Sequence, residues 1–133
     1  MFKKIAILLI LLSVVLSIAT LPSFAVNGTI TTQATPFDRA LKSGKPVIVK
    51  LGADWCPACR EMKPNLESVA KELGEKAIVL DLDIDKYRNL ANEYKINLIP
   101  TTIFYNKKGK FIEKKVGLLS KKELLEIFTK ISK

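Results

Sequence analysis

Apolar residues change their spacing several times along this chain, and each change marks a boundary. Ile5 to Leu21 is an almost unbroken apolar run, diluted by Ser13, Ser17 and Thr20. Val26 to Thr35, "VNGTITTQAT", is small, polar and without helical period; it reads as a linker with a short strand at Thr29 to Thr32. From Pro36 the texture becomes that of a packed domain. Pro36 to Ser43 suits a short helix ended by Gly44, and "KPVIVKLG" suits a buried strand. Met62, Leu66, Val69, Ala70 and Leu73 recur at three- and four-residue steps, which predicts a helix from Pro57 to Leu73 closed by Gly74. "KAIVLDLDID" then reads as a second strand, and "KYRNLANEYKI" as a helix with Leu90, Ala91 and Tyr94 inward.

Strand, helix and strand in that order imply a parallel, right-handed crossover. The remainder has a different logic. "TTIFY" and "KFIEKKVG" flank Asn106-Lys107-Lys108-Gly109, a turn sequence, and so predict an antiparallel hairpin. A last helix runs from Ser120 to Ile131, with Ser120 as N-cap, Glu123 completing a capping box, and Leu124, Leu125, Phe128 and Ile131 as the apolar face. The expectation is an α/β domain over residues 36–133 built on a mixed sheet flanked by helices.

Composition changes this picture at the N-terminus. Lys3 and Lys4 precede the apolar run, and Ser23-Phe24-Ala25 after Pro22 has the small-x-small form that signal peptidase reads. Residues 1–25 are therefore expected to be a signal peptide, with an uncleaved membrane anchor as the alternative, and the domain is expected outside the cytoplasm, secreted, periplasmic or at the outer face of the cell membrane. With 133 residues and 48% hydrophobic composition the chain supports one core, not two. Its net charge of +9 includes lysine clusters at 107, 108 and 110, at 114 and 115, and at 121 and 122. These read as solvated faces, with an acidic polymer or anionic membrane as the alternative. No Arg-rich stripe interleaved with aromatics points to nucleic acid. The chain has no histidine, so the commonest general base and metal ligand is missing.

The candidate chemistry lies in "ADWCPACREMKP", which holds both cysteines, Cys56 and Cys59. A closed zinc site needs four ligands, so a metal would have to bridge two chains; no metal and no cofactor is expected. A disulfide across two intervening residues closes too small a loop to contribute much stability. A redox pair fits better. The strand ending near Gly52 leads into a helix beginning at or beside Cys56, whose first-turn N–H groups and dipole stabilise a thiolate. Cys56 is then the attacking thiol and Cys59, one turn in, the resolving one. Pro57 suits the first helical turn, and Pro64 is a structural kink.

Taken together, "WCPAC" after a buried strand, Pro64, "INLIPTTIFY" and "KVGLLSKKEL" closely resemble the thioredoxin family across Pro36 to Lys133. The resemblance implies the thioredoxin fold, thiol-disulfide exchange with protein disulfides or dithiols, a monomer, and no cofactor beyond the cysteines. It further implies a cis peptide bond before Pro100, and a substrate-docking rim of Trp55, Ile99, Pro100 and Gly117. The Pro57-Ala58 dipeptide lacks both the histidine of strongly oxidising members and the Gly-Pro of cytoplasmic reductases, while "ADWCPACRE" resembles relay domains fed by a membrane-embedded electron donor. A reductase direction is therefore expected, against the rival of a binding or chaperone module with incidental cysteines.

Lys50 departs from the family pattern, since thioredoxins usually carry a buried aspartate there, with a lysine partner where this chain has Asp81. The two charges look exchanged, which makes Lys50 and Asp81, with Pro57 and Ala58, the candidate residues that tune activity. The alternative is that Lys50 reaches water and Asp81 lies on the surface.

Overall fold

A computed structural model describes residues 34–133. The signal peptide expected at 1–25 and the strand expected at Thr29 to Thr32 lie outside the described residues. Helix α1 (Pro36–Leu41) begins at a capping box in which Thr35 accepts from the Asp38 N–H and the Asp38 carboxylate accepts from the Thr35 N–H. Thr35 thus belongs to the helix cap, not to the preceding linker. The helix ends two residues before the expected Ser43, and Gly44 makes the exit turn at φ +74°.

Strand β1 (Val47–Gly52) is buried along its whole length, as its apolar run implies. Helix α2 (Pro57–Leu73) has the expected bounds and buries Cys59, Met62, Leu66, Val69 and Leu73. Pro64 sits inside it on the exposed side, and Gly74 forms the C-cap at φ +49°, a conformation glycine adopts without penalty. A single 3₁₀ turn leads to β2 (Ile78–Asp83), which lies parallel to β1.

Helix α3 (Arg88–Glu93) is shorter than the expected span of residues 86–96. Its N-cap, Tyr87, offers no side-chain oxygen to the first-turn N–H groups, and Lys95 at φ +50° stops it. Leu90 and Tyr94 do lean on the core, but both stay half-exposed. Strands β3 (Thr101–Tyr105) and β4 (Phe111–Val116) form the expected antiparallel hairpin, with a bulge between Phe104 and Tyr105. Helix α4 (Lys121–Ile131) carries the expected Ser120–Glu123 capping box, but its inward face is Leu124, Ile127 and Ile131. Leu125 and Phe128 pack at the margin.

The sheet runs β2-β1-β3-β4, with β1 parallel to β2 and antiparallel to β3. Strand alternation divides the core in two. On one face Ile48 and Phe104 pack under α2 and α4; on the other Val47, Val49, Leu51, Ile103 and Tyr105 pack against Phe37 and Ala40 of α1 and the half-buried residues of α3. Lys50 follows Ile48 on the α2-facing row, where an apolar residue would be the ordinary occupant.

Candidate active site

Strand β1 ends at Gly52, and three residues carry the chain to α2, so Cys56 arrives at the helix N-cap. Its Sγ accepts the N–H of Cys59 at 3.2 Å, taking the place of the Ser or Asp oxygen common at that position. Pro57 occupies the first helical position, where its missing N–H costs nothing. Cys59 lies one turn on, with its Cα 5.2 Å from that of Cys56, and the two sulfurs are paired as a disulfide. Both residues are buried, Cys56 to 6% exposure and Cys59 to 1%. Ala53, Ala58 and Ile99 pack around them.

Trp55 is 65% exposed, and its indole N–H donates to Asp85 at 2.9 Å, so the ring is anchored on the surface and not in the core. The Ile99–Pro100 peptide bond is cis. Pro100 is buried and Ile99 half-buried, with the Ile99 carbonyl 3.9 Å from the Cys56 sulfur. Gly117, at φ +101°, donates its N–H to the Pro100 carbonyl at 2.8 Å. Ile99, just ahead of β3, thus meets Cys56, and Gly117, just past β4, is joined to Pro100, while Trp55 comes as the chain neighbour of Cys56.

Leu98 and Val116 are also large, apolar and exposed, and sequence reasoning passed over both. The available signal was their position, each directly beside a residue of the expected rim. Nothing in a strand pattern says which apolar residues at its end will face solvent.

Lys50 and Asp81 meet. They are register partners on β1 and β2, with Lys50 Nζ 2.7 Å from Asp81 Oδ1. The lysine side chain is 5% exposed and the aspartate 35%, so the ammonium does not reach water on its own. Gly52, one α2-facing position further along β1, makes this possible: a Cβ there would stand 2.7 Å from Lys50 Cε and 2.9 Å from the Cys59 sulfur. No sequence signal marked Gly52 beyond its place at the strand end. A cleft of about 230 Å³ opens here, lined by Lys50, Gly52, Cys59 and Asp81 among others. Among the described residues no group of three or more His, Cys, Asp or Glu side chains is placed to hold a metal, and no helix is long and apolar enough to cross a membrane.

The sequence model of the thioredoxin family matches residues 28–130. Thioredoxin Y, chloroplastic, of Oryza sativa subsp. japonica is 41% identical over 91 residues, covering 68% of this chain and 54% of that protein. The thioredoxin of Rickettsia bellii is 38% identical over 89 residues, covering 67% of this chain and 84% of that one. Among solved structures, the X-ray structure of Fasciola hepatica thioredoxin superposes with a TM-score of 0.64 at 27% identity, over 71% of this chain and 90% of that one. The chain spans about half the length of the rice relative.

Proposed function

The chain belongs to the thioredoxin family and carries a thiol-disulfide oxidoreductase pair, and from that premise we propose that it works outside the cytoplasm as a monomeric reductase of protein disulfides through Cys56 and Cys59. The observation that carries this reading is Cys56 at the α2 N-cap, its sulfur accepting the Cys59 N–H. That N–H, and the helix end behind it, stabilise negative charge on Cys56 and hence the attacking form.

In the reaction, the Cys56 thiolate attacks one sulfur of a substrate disulfide, and the other sulfur leaves as a thiolate. The Cys59 thiolate then attacks Cys56, the Cys56–substrate bond breaks, and the second substrate sulfur departs. The substrate has gained two electrons and two protons, and the protein holds a Cys56–Cys59 disulfide. A membrane-embedded dithiol donor returns it to the dithiol. Trp55, Ile99, Pro100 and Gly117, joined by Leu98 and Val116, form the rim on which an extended substrate segment rests, with the Ile99 backbone as its pairing edge. Residues 1–25 direct the domain across the membrane and are removed after Ala25; residues 36–133 form the catalytic domain. Pro57 and Ala58, between the cysteines, tune the activity of the pair.

Reduction of insulin disulfides by the purified protein tests the reading. Cys56→Ser should abolish the activity, and Cys59→Ser should accumulate mixed disulfides through Cys56. Full cellular function of Cys56→Ser would overturn it in favour of a binding module with incidental cysteines. The N-terminus of the protein recovered from its source should be Val26, and the Cys56–Cys59 couple should equilibrate to the reducing side of glutathione.

A further inference from the structure

We propose that Lys50, held in place by Asp81, promotes ionisation of the resolving thiol Cys59, and that the cleft beside Gly52 is the route by which the Cys59 proton reaches solvent. The inference rests on the disulfide-exchange reading and concerns only its second half. The geometry around Gly52 carries it. Lys50 Nζ would lie 3.0 Å, and Cys59 Sγ 2.9 Å, from one and the same Cβ position. The ammonium and the sulfur are therefore within about 6 Å of each other, close enough for an opposite charge to favour the thiolate. Cys59 itself is 1% exposed, yet it lines the cleft wall with Lys50 and Gly52, a different set of residues from the Ile99 rim that meets Cys56.

The other charges around the cleft do not replace Lys50. Asp54, Arg60, Lys63 and Lys86 are exposed and screened by water. The Arg60 guanidinium donates to the Asp54 carbonyl at 2.8 Å, and Asp83 accepts the Asp85 N–H at 2.8 Å. Lys50 alone is buried beside the sulfur, and Asp81, whose carboxylate lies toward water at 35% exposure, fixes its reach.

When the Cys56–substrate mixed disulfide has formed, the Cys59 S–H bond breaks and the proton passes to solvent in the cleft. The resulting thiolate, opposite the Lys50 ammonium, attacks Cys56 Sγ. The Cys56–substrate bond breaks, and the departing thiolate takes its proton from solvent on the substrate side. Lys50 acts as a positioning residue for the negative charge.

Reduced protein mixed with 5,5′-dithiobis(2-nitrobenzoate) should release the chromophoric thiolate in two phases, the first from attack by Cys56 and the second from attack by Cys59. In the unmodified protein, the pH midpoint of the second phase should fall below the free-thiol value of about 8.5. Lys50→Met should leave the first phase unchanged, slow the second about tenfold at pH 7, and move its midpoint up by about one pH unit. Lys50→Arg should restore most of the second phase. An unaltered second-phase midpoint in folded Lys50→Met, or equal slowing of both phases, would overturn the proposal. If Lys50→Met does not fold, the unmodified protein decides: a second-phase midpoint at or above that of a free thiol overturns it. Absence of any second release from the unmodified protein would instead overturn the disulfide-exchange reading itself.

Discussion

Lys50 and Asp81 stand opposite each other on parallel strands β1 and β2 and close an ion pair of 2.7 Å whose two ends are unequally buried. The inequality makes the two partners unequal under mutation. Asp81→Asn leaves an ammonium at 5% exposure without its counter-charge, a loss expected toward the lower end of about 3–5 kcal/mol because water reaches the aspartate side. Lys50→Met fills the same space with an apolar chain and leaves a carboxylate that water can solvate, so it should cost less. Denaturant midpoints, read at unchanged slope, check the order. A larger loss from Lys50→Met would show that the lysine stem's packing outweighs the charge.

Thr102 is the β3 neighbour of Lys50 across the sheet, and its buried hydroxyl finds no hydrogen-bond partner among the described residues. An unpaired buried hydroxyl carries a desolvation penalty that an isosteric methyl does not. Thr102→Val should therefore raise stability by about 1 kcal/mol, again as a shift in denaturant midpoint. Its β-branched shape also keeps the strand's packing intact.

The Ser120–Glu123 capping box sets a pH dependence. Hydrogen bonds from the Ser120 hydroxyl and N–H hold the Glu123 carboxyl below its ordinary value of 4.5. A carboxyl with a depressed value in the folded state contributes stability that is present above 4.5 and lost as the pH falls through the folded value. Asp38, bonded to Thr35, and Glu75, paired with Lys45, act in the same direction. The thermal midpoint should fall as the solution is acidified below about pH 4.5. Glu123→Gln keeps an acceptor for the Ser120 N–H without a titrating group, and should make that fall shallower by lowering the midpoint near neutrality, where the ionised carboxylate contributes its stability. An identical acid profile in the two proteins would contradict this assignment.

Helix α2 was legible to both its ends because its signals are local. Met62, Leu66, Val69 and Leu73 recur on one face, Pro57 starts the helix and Gly74 stops it. Helix α4 was legible at its cap but not in its orientation: Ile127, not Phe128, faces the sheet. The rotation of a helix by part of a turn depends on the surface it meets, here α2 and Phe104, and a run such as "ELLEIF" has apolar residues enough for more than one choice. Helix α3 shows the reverse failure, a plausible apolar period over residues 86–96 without a cap at Tyr87 to begin it or a favourable conformation at Lys95 to continue it.

By itself the sequence determined the order of elements, the Ser120–Glu123 cap, the Gly74 stop, the buried β1 and the placement of two cysteines one turn apart at a helix start, because each depends on neighbours within a few residues. It also raised the Lys50–Asp81 exchange as a question. Whether those charges meet depends on the register of two strands 31 residues apart in sequence, and only the tertiary structure settles a register. The same holds for Gly52. Its lack of a side chain matters only because the α2-facing row of β1 brings Lys50 beneath Cys59, and that coincidence of a strand with a helix end has no trace in either segment read alone.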